Sequence, residues 1–195
     1  MTVEDRLKGV EGIVIPGGFG SRGIPGKIEA ARYAREQDIP YLGLCLGMQI
    51  ACIEFARNVL GYPMANSSEF EPEGPHSIIA LMPDQMGNIP KGGTMRLGAY
   101  PCHIRKDSRM HEAYGEEVIW EWHRHRYEFN NDYREEVQKA GLLISGTSPD
   151  GRLAEAVEIP ANRFFVGVQY HPEFKSRPNR AHPLFRELVR VCLQS

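Results

Sequence analysis

Several absences narrow the reading before any motif is considered. No apolar run approaches the roughly 18 residues that a membrane helix requires. The opening MTVEDRLKGVEG is charged and lacks the hydrophobic centre of a secretory leader. Basic residues are not in excess: 23 Lys and Arg stand against 25 Asp and Glu, a net charge of -2. That balance gives no footing for nucleic acid as a partner. The four cysteines (Cys45, Cys52, Cys102 and Cys192) form no C-x-x-C pair, which argues against both a disulfide framework and a zinc ribbon. Internal repeats and low-complexity stretches are missing too. What remains is a cytoplasmic globular chain with no membrane attachment, read as one domain over residues 1–195.

The apolar runs GIVIP (12–16), IPYLGLC (39–45), HSIIALM (76–82) and RFFVGVQYH (163–171) read as buried strands. Between the first two lies GKIEAARYAREQ, rich in alanine and charge and opened by Pro25, a helix signal. Strand, helix, strand within about 35 residues is a βαβ unit, which implies parallel pairing. A second helix follows Cys45 directly. A third, HPLFRELVRVCLQ, places Leu184, Leu188 and Val191 on one face for packing against a sheet. Residues 66–100 read as strands joined by irregular loops. The class is α/β, three-layered and flavodoxin-like, with a mainly parallel central sheet.

One loop raises a specific question. PGGFGSRG (16–23) contains Gly18, Gly20 and Gly23 at the G-x-G-x-x-G spacing of a dinucleotide turn. In that motif the glycines open the helix, so that its N-terminus meets the pyrophosphate. Here Ile24 and Pro25 follow the third glycine, so the helix starts beyond the motif. The acidic residue expected at the end of the next strand is missing, since Asp38 falls before it. A phosphate loop fails as well, with Ser21 in place of its first glycine and Ile28 in place of Ser or Thr. The glycines serve another chemistry.

GLCLGMQ (43–49) supplies it. Gly43-x-Cys45-x-Gly47 has the form of a nucleophile elbow with cysteine as the nucleophile. Small residues two positions to either side let a sharp strand-to-helix turn close, and the following helix points N–H groups at the sulfur. The bland alternative is that Cys45 is a small buried hydrophobe, as Cys52 is read to be. A cysteine nucleophile needs a base, and VQYHPEF (168–174) offers His171, with Glu173 two residues on as its orienting carboxylate. Attack on a carbonyl places negative charge on oxygen, which calls for two backbone donors. The Leu46 N–H is one; the glycine-rich turn, at Gly18, is the other.

With PGGFG, GLCLGMQ and YHPEF in this order, the chain resembles class I (triad-type) glutamine amidotransferases. NSSEF (66–70), GGTMRLG (92–98), RHRYEFN (124–130) and GVQYHPEFKSRP (167–178) sharpen this to the glutaminase domains of CTP synthases. The resemblance implies that Cys45 attacks the side-chain amide of L-glutamine, with His171 and Glu173 completing a triad. Gly18, Phe19 and the turn Leu46, Gly47, Met48 and Gln49 would line the glutamine site. Glu69 would meet the substrate ammonium, and Arg126, beside Tyr127, its carboxylate. Both charges suit a zwitterion. The resemblance further implies that the ammonia goes to an amidoligase (synthase) domain that aminates UTP with ATP and Mg2+, in an enzyme that is a homotetramer. No cofactor is expected in this domain. GTP would act as an allosteric activator near Arg22, Thr94 and Arg96. Relative to the family, this chain is expected to lack the synthase domain and the first strand and helix of the glutaminase fold, and to be a weak glutaminase alone.

Two rival readings differ in kind: another cysteine hydrolase of the same fold, and a non-catalytic module that only docks. His123 and His125 share a strand face but find no third ligand at metal spacing, and Trp120 and Trp122 read as packing residues.

Overall fold

The computed structural model describes residues 2–82 and 95–194. A short helix α1 (Val3–Leu7) precedes strand β1 (Ile13–Ile15), helix α2 (Ile24–Glu36), strand β2 (Tyr41–Leu44) and helix α3 (Leu46–Asn58). Strands β3 (Ala65–Ser67), β4 (His76–Ala80) and β5 (Arg96–Ile104) follow, then α4 (Arg109–Tyr114), β6 (Val118–His125) and β7 (Glu128–Phe129). The chain ends with α5 (Arg134–Ala140), β8 (Leu143–Thr147), β9 (Ala154–Glu158), β10 (Phe165–Val168) and α6 (Pro183–Cys192).

The main sheet runs β1-β2-β10-β9-β8-β5-β6. Only β1, β2 and β10 are parallel; the other neighbours pair antiparallel. The α/β class holds, but the sheet is mixed where a mainly parallel one was expected. The reason lies in the connections. A parallel neighbour needs a crossover of about a dozen residues or more. The links from β8 to β9 and from β9 to β10 are too short for a helix, so each strand turns straight back. HSIIALM is also displaced from the main sheet. Its strand β4 lies in a small sheet of order β3-β4-β7.

Two apolar layers flank the main sheet. One gathers Ile28, Ala31, Ile50, Ile53 and Phe165 beneath α2 and α3. The other gathers Leu42, Val166, Met110 and, as expected, Leu184, Leu188 and Val191 of α6. Helix α3 is buried from Leu46 to Ala56, because the main sheet lies on one side and the small sheet on the other. Cys52 is fully buried there, a core residue. Among the described residues no helix is long and apolar enough to cross a membrane.

Candidate active site

Cys45 sits between β2 and α3 with φ 51 and ψ −101, a left-handed conformation that a non-glycine residue adopts only when its surroundings impose it. The imposing contacts are visible. The Cys45 N–H donates to the Val168 carbonyl of β10 at 2.7 Å. A Cβ on Gly43 would lie 2.5 Å from the Gly47 carbonyl, and a Cβ on Gly47 would be driven into the carbonyl oxygen of Ile15. The two glycines thus let strand, turn and helix close on one another. Glycine is required by contact here, not by φ.

His171 ends the segment after β10. Its N–H donates to the Trp122 carbonyl of β6 at 2.8 Å, and its ring stacks on Phe174 with centroids 5.0 Å apart. Nδ1 lies 2.6 Å from Glu173 Oε1. A carboxylate can only accept, so Nδ1 carries the proton and Nε2 keeps its lone pair. That Nε2 is buried without a protein partner. A methyl placed on Gly17 would touch both the His171 ring, at 2.8 Å, and the Cys45 Cβ, at 3.5 Å, so imidazole and thiol border one small space. Burial works to raise the Glu173 carboxyl, but the bond from His171 and neighbouring donors outweigh it and hold the group below its usual range. The thiol goes the other way. Burial pushes Cys45 up to about 12, against the Leu46 N–H and the Gln169 amide, which favour the thiolate.

Cys45 opens into a cavity of about 280 Å³ bordered by Gly18, Phe19, Gln49, Glu69, Arg126 and Tyr127, together with Met95, Arg124 and His125. Seven of the sequence-derived site residues therefore meet at one hollow. Glu69 comes from the turn after β3 and Arg126 from the link between β6 and β7, and the Arg126 Nε is buried without a partner. An acid and a base thus face the same hollow with hydrogen-bonding capacity to spare.

Other expected site residues sit deeper. The Leu46 and Met48 side chains are buried, Met48 against Gly167, and the Gly47 carbonyl accepts from the Tyr41 hydroxyl at 2.8 Å, while the Leu46 N–H stays beside the Cys45 sulfur. They form the core beneath the turn, because a helix that starts at the nucleophile aims its next residues at the sheet. Arg96 is turned inward. Its guanidinium holds Glu155 at 2.7 Å and Glu128 at 3.0 Å and lies over the Tyr100 ring, so it is engaged by two carboxylates. Arg22 is exposed on the loop before α2, between Gly20 (φ 75) and Gly23 (φ 74). Thr94 lies outside the described residues. His123 and His125 bond to each other, Nδ1 to Nε2 at 2.8 Å, beside Glu155 and Glu128. Burial and the nearby Arg96 drive His123 down to about 2 and His125 to about 3, so both rings stay neutral.

Gln169 was not anticipated. It is fully buried, and its Nε2 lies 3.7 Å from Cys45 Sγ. Gln49 Nε2 donates to Gln169 Oε1 and to the Tyr127 carbonyl, each at 3.2 Å, which fixes the orientation of both amides. The signal was available: in an extended VQYH, residues i and i+2 share a face, so Gln169 had to lie beside His171.

Residues 1–191 match the family described as glutamine amidotransferase class-I. The chain is 61% identical over 193 residues to CTP synthase of Carboxydothermus hydrogenoformans, covering 99% of this chain and 36% of that protein. It is 62% identical over 189 residues to CTP synthase of Rubrobacter xylanophilus, covering 97% and 34%. It thus spans about a third of the curated relatives it matches. Among solved structures, the glutaminase domain of Trypanosoma brucei CTPS with bound acivicin superposes with a TM-score of 0.94 at 42% identity, over 99% of this chain and 75% of that one. A glutamine amidotransferase from Thermotoga maritima, at 14% identity and a TM-score of 0.55 over 93% and 78%, shares the fold. The chain belongs to the class I glutamine amidotransferases, as a glutaminase domain of the CTP synthase kind.

Proposed function

We propose that this domain hydrolyses L-glutamine to glutamate and ammonia through a glutamyl thioester on Cys45. One observation carries the reading: a thiol and an imidazole–carboxylate pair border the same space, and the thiol opens into a hollow holding both Glu69 and Arg126. Glu69 takes the substrate ammonium and Arg126 its carboxylate, which leaves the side-chain amide for the sulfur.

The Cys45 proton passes to His171 Nε2 as Sγ bonds to the amide carbon. The carbonyl oxygen gains negative charge, met by the N–H groups of Leu46 and Gly18. The C–N bond then breaks, and His171 returns its proton to the departing ammonia. A water, deprotonated by the same nitrogen, cleaves the thioester and restores the thiol. Glu173 keeps Nδ1 protonated throughout and stabilises the imidazolium. Glutamine and water are consumed; glutamate and ammonia leave.

The chain is similar to about a third of longer proteins named CTP synthase, which supports a further domain that uses the ammonia. We extend the reading to an amidoligase domain that aminates UTP to CTP in a cytoplasmic, homotetrameric enzyme. ATP and Mg2+ are used there, and GTP activates. The test is mass spectrometry after incubation with a diazo-ketone analogue of glutamine, comparing the parent with Cys45→Ala. A single adduct on Cys45, blocked by excess glutamine, is expected. A folded protein that takes up no label would overturn the reading in favour of a docking module.

A further inference from the structure

A second and larger hollow, about 510 Å³, is lined by Lys175, two residues beyond Glu173. It shares no lining residue with the glutamine cavity. Its floor is Glu121, a side chain with no exposure, whose Oε1 is held by the Tyr114 hydroxyl at 3.0 Å, His182 Nε2 at 2.9 Å and Lys175 Nζ at 3.4 Å. His182 Nδ1 accepts from the Leu184 N–H, so Nε2 is the protonated nitrogen and the imidazole is neutral there. Oε1 is thus fully engaged, while the other oxygen, Oε2, is buried without a protein partner.

The rim is different. Arg180 and Arg186 both line the hollow, and neither guanidinium has a carboxylate within ion-pair distance among the described residues. Arg186 stands on the first turn of α6, where the helix dipole adds to its charge. The Lys175 ammonium is at the same rim, and its main bond is to a neutral acceptor, the Trp120 carbonyl at 2.6 Å. The Trp120 indole, an edge-strand side chain left 59% exposed, forms one wall. The lining carries two acids, Glu116 at the rim and Glu121 at the floor, against three cations; Lys175 pairs with Glu121, which leaves Arg180 and Arg186 as the cations open to a ligand.

We infer that this hollow is a binding site for a small organic phosphate bearing a planar ring. The phosphate lies between Arg180 and Arg186, whose forked donors match its oxygens, and the ring lies against Trp120. The volume is in the range of small-molecule sites. Occupancy would be felt at the catalytic centre through the shared segment. Lys175 directly follows the 3-10 turn Pro172–Phe174, which holds Glu173 and the Phe174 ring stacked on His171. A ligand that draws Lys175 away from the Trp120 carbonyl changes the support of that turn.

The molecule carries its own reporter, since Trp120 and Trp122 are its two tryptophans. In Trp122→Phe, Trp120 emission is titrated with phenyl phosphate, with orthophosphate as the ring-free probe and phenol as the charge-free one. Saturable quenching by phenyl phosphate is expected, at least about tenfold tighter than orthophosphate measured by competition, with no response to phenol. Arg180→Ala/Arg186→Ala should weaken it by about tenfold or more, the scale of charge-assisted hydrogen bonds, with thermal stability unchanged. Absence of saturable quenching would overturn the inference. So would quenching that survives the double substitution, which would mark ring stacking without a phosphate site. None of these readouts depends on glutamine turnover, so the result is separate from that of the labelling experiment.

Discussion

At the scale of single residues, the site keeps its nucleophile protonated at rest. Burial holds the Cys45 thiol at about 12, while His171 Nε2 waits with a free lone pair. In the unliganded protein the thiolate therefore forms only as pH climbs far above neutral. Carboxamidomethylation of Cys45 should rise continuously from pH 7 to about 10 without levelling; a plateau below pH 8 would mean a standing thiolate–imidazolium pair instead. Arg126 sets the other residue-scale expectation. Removing one charge-assisted contact to the substrate carboxylate in Arg126→Ala should raise KM for glutamine by roughly 10- to 100-fold while kcat changes little, read from ammonia release. Cys45, His171 and Glu173 stood out because their chemistry demands a residue type at a spacing, whereas Glu69 and Arg126 entered only through the resemblance to the family. Arg96 was expected near an activator only through the resemblance; nothing in the local sequence tells that Glu128 and Glu155 fold back to engage its guanidinium.

At the scale of elements, the elbow rests on contacts that a methyl group cannot share. Gly47→Ala should cost several kcal/mol and abolish labelling of Cys45, since the new Cβ meets the backbone of β1, which cannot yield as a flexible side chain would. Gly26 in α2 is the control: a Cβ there meets nothing within 4 Å, so Gly26→Ala should keep labelling and gain up to about 1 kcal/mol in thermal or urea melts. The elements themselves were readable where period and punctuation agreed, as in α2 behind Pro25 and α6 with its apolar stripe. The sheet's direction was harder. Its parallel half announces itself as strand, helix, strand, but β5, β6, β8 and β9 are assigned only by how short their links are, and RFFVGVQYH looks the same in either setting. The assignment of β4 to a separate small sheet depends on the long-range partner β7, which no local pattern reveals.

At the scale of the whole molecule, the nucleophile and its base hang from β2 and β10, paired neighbours with further strands on both flanks. Glu69 and Arg126 hang from peripheral pieces: the turn after β3 and the link between β6 and β7. Amide exchange should follow the same division. Val166 and Val168 are expected to exchange only through global opening, while the backbone near Glu69 and Arg126 exchanges through smaller local openings; equal protection in both places would contradict this. The arrangement has a consequence for ageing and heat. As the periphery loosens first, selectivity is lost before reactivity. A warmed or partly worn molecule would keep a competent sulfur in a rigid cradle while no longer asking its substrate for an ammonium and a carboxylate. Such a molecule becomes less choosy before it falls silent.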